Sequence, residues 1–388
     1  MKCVVFSHKP CWRSGASPSG YATDGGFGFQ MAALAEMFDE TTVAVPIYKG
    51  GPHRGQVALA GRNLKIAPLT TPQGCGAWRK LLMPAWVVRN LPALLREMSR
   101  ADAVHAPIPG DIGTIGMVLA FVLGKPLFVR HCGNWFVERT AAERFWKWFM
   151  IRFAGGRRVM LATGGAEEPP SPRNSHIGWI FSTSLTEAEM RACGQRRSSI
   201  DPRRLRLIIV CRQEREKGTG IVIDALRLVC QDFPGASLDV VGDGSGLPQF
   251  RKQATDLGLA ERITFHGKLG HGEVIRLLQQ ADLFCYPTAA SEGFPKSVLE
   301  ALACGLPAIT TRVSVLPRLI SRGCGILLGA PSPEALAAAI RRCVDHPDEY
   351  RLMSARALEI AREYSLEKWR ENIARLLRTA WGPLACDA

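Results

Sequence analysis

Several things are missing from this chain of 388 residues. Its 12 cysteines form no C-x-x-C pair, which leaves no zinc site or disulfide framework legible. They read instead as scattered small apolar residues of a reducing cytosol. No run of apolar residues reaches the eighteen or so that a spanning helix needs. The longest, at 112–123, suits a buried helix. The opening MKCVVFSHKP turns polar too soon for a signal peptide. These absences exclude a spanning protein but leave open one that lies on a membrane. There is no short-period repeat and no low-complexity segment. With 47% hydrophobic and 22% charged residues, a disordered or collagen-like chain is excluded as well. Acidic residues are in deficit, 35 against 49 basic, for a net charge of +14. That deficit predicts an anionic partner: a phosphate-bearing substrate, a membrane surface or nucleic acid.

What is present is an alternation of strands and helices. Apolar, β-branched runs predict strands at 2–7, 41–46, 103–106, 126–131, 158–163 and 176–181, with helices at 28–38 and 114–123 among them. The pattern starts again after a polar, basic segment, CGQRRSSIDPRR. Strands are predicted there at 205–211, 237–241, 262–265, 283–286 and 307–310. Helices are predicted at 220–232, 249–257, 272–280, 296–304, 333–345 and 348–363. The fold class is therefore α/β, with two Rossmann-like parallel-sheet lobes facing across a cleft. The expected division is a first lobe at 1–195, a linker at 196–204, a second lobe at 205–365, and a C-terminal helix at 366–388 packing back on the first lobe. Open parallel sheets bind ligands at the carboxyl ends of their strands.

The second half carries the chemistry. After the strand LRLIIVC come Arg212 and, ahead of a helix, Lys217-Gly218. A guanidinium fork, an ammonium and a helix N-terminus form a sensible pyrophosphate site, although RQEREK also reads as a solvated loop of charges. A strand ending in Gly242-Asp243-Gly244 allows close approach of a ligand, or is a plain turn. The strongest segment is Glu292-Gly293-Phe294-Pro295-Lys296 running on to Glu300. Pro295 is placed to open a helix at its first position, with the N–H groups of Gly293, Phe294 and Lys296 aimed at an anion. Spacing alone decides nothing, because Glu359/Glu367 and Glu363/Glu371 repeat the Glu292/Glu300 interval in a solvated C-terminal helix.

Taken together, these residues resemble the donor-binding lobe of the retaining, GT-B-fold glycosyltransferases of the glycogen-synthase-like family four (glycosyl transferases group 1). Arg212, Lys217-Gly218, Gly242-Asp243-Gly244, Phe265-His266-Gly267, Glu292-Gly293-Phe294-Pro295, Glu300-Ala301 and Gly305-Leu306-Pro307 stand in the family's order. Cys211 departs from it, standing where the family carries glycine.

The resemblance implies a hexosyltransferase that moves a sugar from a nucleotide-diphosphate donor, UDP- or GDP-linked, to a hydroxyl acceptor. No cofactor and no metal are implied. Arg212 and Lys217 would hold the diphosphate, Glu292 the sugar hydroxyls and Glu300 the ribose. The backbone at Lys268-Leu269 would meet the base, and Gly293–Lys296 would offer N–H groups. In the first lobe the resemblance covers Gly25-Gly26, ahead of a helix, as a close approach to the donor phosphate. It also covers His131 as a group facing the sugar. A flexible turn and a satisfied structural histidine are the plain alternatives. Asp24 could cap that helix or touch the acceptor, and His8 reads as structural. No Asp-x-Asp occurs, so fixed cations rather than a metal would neutralise the diphosphate.

The charge surplus leans toward the first lobe, +9 through residue 195 against +5 after it. Two segments there, 78–89 and 144–153, mix cations with Trp, Phe and Leu in the manner of membrane-surface helices. The alternative is that their apolar faces are core. The expected partners are a nucleotide sugar, a saccharide, lipid-linked or small-molecule acceptor, and an anionic membrane surface. The expected location is the cytoplasm, including the inner face of the plasma membrane, with a role in glycan, polysaccharide or glycolipid biosynthesis. A GT-B-type epimerase or a non-catalytic basic binding protein are the competing readings. No nucleic-acid-binding pattern and no G-x-G-x-x-G after the first strand support a nucleic-acid binder or a dehydrogenase.

Overall fold

The computed structural model describes residues 1–50, 55–74, 76–138, 140–165, 168–290 and 293–385. The chain forms two compact units, Met1–Ser184 with Leu366–Ala388, and Leu185–Ser365.

The strands of the first unit are β1 (Lys2–Phe6), β2 (Cys11–Arg13), β3 (Tyr21–Asp24), β4 (Glu40–Tyr48), β5 (Gln56–Ala58), β6 (Leu64–Leu69), β7 (Ala103–Ile108), β8 (Leu127–His131), β9 (Arg158–Thr163) and β10 (Ile177–Ile180). Its helices are α1 (Phe27–Ala35), α2 (Gly76–Arg100), α3 (Asp111–Val122) and α4 (Ala141–Phe153). A parallel sheet runs β10-β9-β8-β7-β1-β4, with β6 also paired to β4. Strands buried on both faces, such as Val4-Val5-Phe6, need continuous apolar runs, and the sequence supplies them. The long loop expected after β1 instead holds a small antiparallel addition, in which β2 pairs with β3 and β3 with β5. These strands, CWR, YATD and QVA, lack the continuous apolar run that marks the others in sequence.

On one face of the sheet, α2, α3 and α4 share a single core with inward residues such as Phe6, Val104, Val129 and Met160. Trp146 Nε1 donates to Thr114 Oγ1 at 2.8 Å, joining α4 to α3. Arg79 Nε lies 2.9 Å from Asp111 Oδ2, joining α2 to α3. The run at 112–123, expected as a buried helix, is buried on one side only. Ile112, Met117 and Ala120 are core, whereas Val118, Val122 and Leu123 face solvent. The basic segments are split in the same way. Trp86, Trp146 and Phe149 are core, but Trp78, Leu81, Val88, Phe145 and Trp148 are exposed.

The second unit begins with α5 (Glu187–Cys193). Its boundary falls at 184/185, because α5 packs within this unit. Cys193 Sγ lies 3.6 Å from Ala303 O, and Gln279 Nε2 donates to Cys193 O at 3.3 Å. The segment at 196–204 is tied down there too, through Arg197 N–H to Ser354 Oγ at 2.9 Å and a buried Ile200. There follow β11 (Arg206–Val210), α6 (Thr219–Val229), β12 (Ser237–Val241), α7 (Leu247–Asp256), β13 (Ile263–Gly267), α8 (His271–Gln280), β14 (Leu283–Tyr286), α9 (Lys296–Ala303), β15 (Ala308–Thr311), α10 (Leu316–Ile320), β16 (Gly325–Leu328), α11 (Pro333–Asp345) and α12 (Pro347–Ala361). The sheet is parallel throughout, in the order β13-β12-β11-β14-β15-β16. The order reverses between β11 and β14, the switch point at which open α/β sheets bind ligands.

The last helix, α13 (Leu366–Trp381), belongs to the first unit. Its Trp369 is fully buried, with the Arg130 guanidinium 5.1 Å from the ring centroid. Trp381 Nε1 donates to Arg157 O at 2.9 Å, and Ala385 N–H to Met37 O at 3.1 Å.

Candidate active site

The loops that leave β11 and β14 meet at the switch point of the second unit. Arg215–Lys217 makes one 3₁₀ turn and Gly218 then takes φ 91°, in the left-handed region. A Cβ on Gly218 would lie 2.5 Å from Pro287 O, so only glycine lets the two loops touch. The Ala289 N–H donates to Glu216 O at 2.9 Å, and Thr288 Oγ1 to the same carbonyl at 3.2 Å. This stitching sets Lys217 into the loop with its side chain almost fully buried. Burial, and next the charge of Arg212, push its pKa down. Arg212, one turn earlier, is exposed.

The Gly242–Gly246 turn after β12 closes over the same loop. Gly242 has φ 116°, and a Cβ there would lie 1.8 Å from Cys211 O. Gln213 is fully buried beneath it. Gln213 Nε2 donates to Val241 O at 2.9 Å, and its Oε1 accepts from Thr219 Oγ1 at 2.7 Å. Its N–H donates to Asp243 O at 3.0 Å. Cys211, the departure from glycine, is accommodated with its Sγ 3.9 Å from Thr219 Oγ1. Burial raises its thiol to about 11, so it stays protonated. Glu214 accepts from Ser245 Oγ at 2.5 Å, and that bond first of all holds its carboxyl below the usual range. Asp243 Oδ1 accepts from the Gly244 N–H at 2.8 Å, which keeps this carboxylate on its own turn.

Lys268 and Leu269 lie just past β13, Lys268 exposed and Leu269 half-buried. Pro295 is not the first residue of α9 but its N-cap, with φ −78° and ψ 101°; that extended ψ puts it outside the helix. Phe294 is buried, its ring centroid 5.6 Å from that of Tyr364, and Gly293 O accepts from Ser314 Oγ at 3.3 Å. Glu300 sits on α9 with its side chain 12% exposed. Glu292 lies outside the described residues. The site residues expected in this unit that are described thus gather at the carboxyl edge of β11, β12, β13 and β14. Gln213 was missed. Between two charged residues it gives no signal except the glycines that close over it.

In the first unit the sheet order also reverses, between β1 and β7. His8 follows β1, and a Cβ on Gly110, which follows β7 and has φ 151°, would lie 1.9 Å from its Nδ1. His8 therefore stands at the switch point, a placement that its bland sequence context did not suggest. Burial, then the charges of Lys9 and Arg79, lower its pKa. His131 ends β8, buried edge-on to Trp135, with ring centroids 5.5 Å apart. Burial lowers its pKa to about 4 against an opposing pull from the Gly133 backbone, so the imidazole is neutral at physiological pH. Gly25 has φ 61°, and Gly26 is the N-cap of α1 without any side-chain cap. Asp24 does not cap that helix; it ends β3 instead.

Residues 195–359 match the family model described as glycosyl transferases group 1. A GDP-mannose-dependent alpha-(1-6)-phosphatidylinositol dimannoside mannosyltransferase of Mycobacterium tuberculosis is 31% identical over 340 residues, covering 79% of this chain and 85% of that one. The alpha-D-kanosaminyltransferase of Streptomyces kanamyceticus is 25% identical over 350 residues, covering 83% and 89%. Among solved structures, Anabaena Alr3699/HepE in complex with UDP-glucose superposes with a TM-score of 0.71 at 18% identity, over 98% of this chain and 100% of that one. The lipopolysaccharide-biosynthesis glycosyltransferase WaaG gives 0.64 at 16% identity, over 97% and 99%. These likenesses identify the fold as GT-B.

Proposed function

Since the chain belongs to the group 1 glycosyl transferases, we propose that it is a retaining, metal-independent hexosyltransferase acting from a UDP- or GDP-sugar. The observation that carries this reading is the contact between the β11 and β14 loops at the switch point. It fixes the buried Lys217 near Arg212 at the carboxyl end of β14, from which the chain runs on to α9. A diphosphate there meets an ammonium, a guanidinium and the positive end of the α9 dipole. Its charge also relieves the repulsion between Arg212 and Lys217. The sugar C1–phosphate oxygen bond breaks as the C1–acceptor oxygen bond forms on the same face. The acceptor proton passes to the departing phosphate oxygen, so no side-chain base is required. Glu300 accepts from the ribose hydroxyls, the Lys268-Leu269 backbone meets the base, and Gly242–Gly244 lets the donor approach. Glu292, assigned on sequence alone, takes the sugar hydroxyls. The neutral imidazole of His131 and the Gly25-Gly26 backbone are assigned to the sugar and the donor phosphate.

The test is donor turnover followed by NMR of the product. We expect full activity in excess EDTA and an anomeric configuration unchanged from the donor. Loss of activity that Mg²⁺ restores rejects the metal-free reading, and an inverted product rejects retention.

The acceptor is proposed to be a glycan or lipid-linked hydroxyl reached from the inner membrane surface. Among the described residues no helix is long and apolar enough to cross a membrane. The outer faces of α2, α3 and α4 instead expose Trp78 (69%), Val122 (72%) and Trp148 (55%). Beside α4 is a groove of about 830 Å³ lined by Arg144, Lys147, Trp148, Arg152 and Arg173, with Glu138 paired to Lys147 at 2.7 Å. Cations mixed with aromatic residues suit an anionic headgroup layer. In flotation with phosphatidylglycerol vesicles the protein is expected to bind at low salt and to be released several-fold at high salt. Absence of binding at low salt rejects this part of the reading.

A further inference from the structure

Three elements of the second unit converge on one imidazole. His271 is the first residue of α8, directly after Lys268-Leu269-Gly270. Its Nδ1 lies 3.8 Å from Glu300 Oε1 on α9, and its Nε2 lies 3.9 Å from Glu189 Oε1 on α5. Glu189 is itself anchored, because its Oε2 accepts from Thr186 N–H and from Thr186 Oγ1, both at 2.8 Å. The ring is largely enclosed, with 21% of the side chain exposed. A fixed carboxylate thus lies along one side of the ring, at ion-pair rather than hydrogen-bond distance, and the ring faces Glu300 with the other.

A glutamate that must recognise a diol loses rotamer freedom on binding, and a neighbour that already restricts it removes part of that cost. We propose that His271 is a positioning residue that orients Glu300 toward the donor ribose, linking the loop that meets the base to the carboxylate that meets the sugar ring of the nucleoside. This rests on the ribose role assigned to Glu300 above.

The readout is the preference for ribose over deoxyribose, measured on the full chain by titration calorimetry with UDP against 2′-deoxy-UDP and GDP against 2′-deoxy-GDP. For whichever pair binds, the parent is expected to prefer the ribonucleotide by about tenfold or more, since a buried carboxylate loses a hydroxyl partner. Glu300→Gln is expected to bring the ratio close to one. His271→Ala and His271→Leu are each expected to lower it at least about threefold. Affinity for the deoxynucleotide should hardly change, and His271→Gln should recover part of the preference. A merely structural role weakens both nucleotides alike and leaves the ratio intact. If His271→Leu, which keeps the packing should the alanine variant fail to fold, retains the parent ratio while Glu300→Gln loses it, the positioning role is overturned and the ribose role stands. If Glu300→Gln keeps the parent ratio, the ribose role falls and the His271 proposal falls with it.

Discussion

Lys217→Ala is expected to lower turnover at saturating donor by at least about a hundredfold, or about 2.7 kcal/mol of transition-state stabilisation. The size follows from where the ammonium sits. It is 4% exposed, on a turn that Gly218 fixes against Pro287, so the charge is held in place before the donor binds. The diphosphate gains charge on its departing oxygen as the glycosidic bond breaks. A preorganised cation acts on that gain rather than on the bound ground state. Lys217→Arg keeps a charge but exchanges a compact ammonium for a planar fork in a buried space, and only partial activity is expected. The measurement is kcat against donor concentration, with thermal melting as the control for folding. Turnover unchanged at saturating donor refutes the assignment.

Gly242→Ala is expected to be among the most damaging single methyls in the second unit. The new Cβ would sit 1.8 Å from Cys211 O and 2.9 Å from Cys211 C, both backbone atoms that cannot rotate away, at a φ of 116° that side chains avoid. Relief means parting β11 from β12, whose ends are joined by the Cys211 N–H to Val241 O at 3.1 Å, and β12 from β13, joined by the Gly242 N–H to Gly267 O at 2.8 Å. A cost of about 4 kcal/mol and a melting temperature lower by about 8–15 °C are expected. Gly272→Ala is the control. It stands in α8 with open space at the Cβ, and its effect should lie within about 1 kcal/mol of zero. A Gly242→Ala protein that melts within about 2 °C of its parent removes the steric argument.

Much of the second unit was legible from local chemistry. The strands at Ser237–Val241 and Leu283–Tyr286 and the helix at Pro333–Asp345 fall on the residues expected, because apolar runs and a proline after a capping serine fix them locally. The strand Gly325–Leu328 was missed; it holds three apolar residues between two glycines, and only Leu328 of the four is buried, unlike Leu283–Tyr286. In the first unit a uniformly apolar run hid the fact that α3 has an outer face, since Val118 and Val122 look like Met117 and Ala120 until the sheet beneath them is known. The glycines of the site could be read, for their need is local. Gln213 and His271 could not, because their roles depend on partners far away in the chain: Gln213 reaches Val241, and His271 stands between Glu189 and Glu300.

The return of α13 to the first unit orders events in time. During synthesis the second unit is one continuous stretch, complete once residue 365 has emerged. The first unit has its sheet much earlier but lacks a wall, because Trp369, which covers the Arg130 guanidinium, follows the whole second unit in the chain. The first unit therefore begins before the second and is completed after it. Until α13 docks, the Arg130 guanidinium has Gln30 Oε1, at 2.9 Å, but no aromatic ring across it.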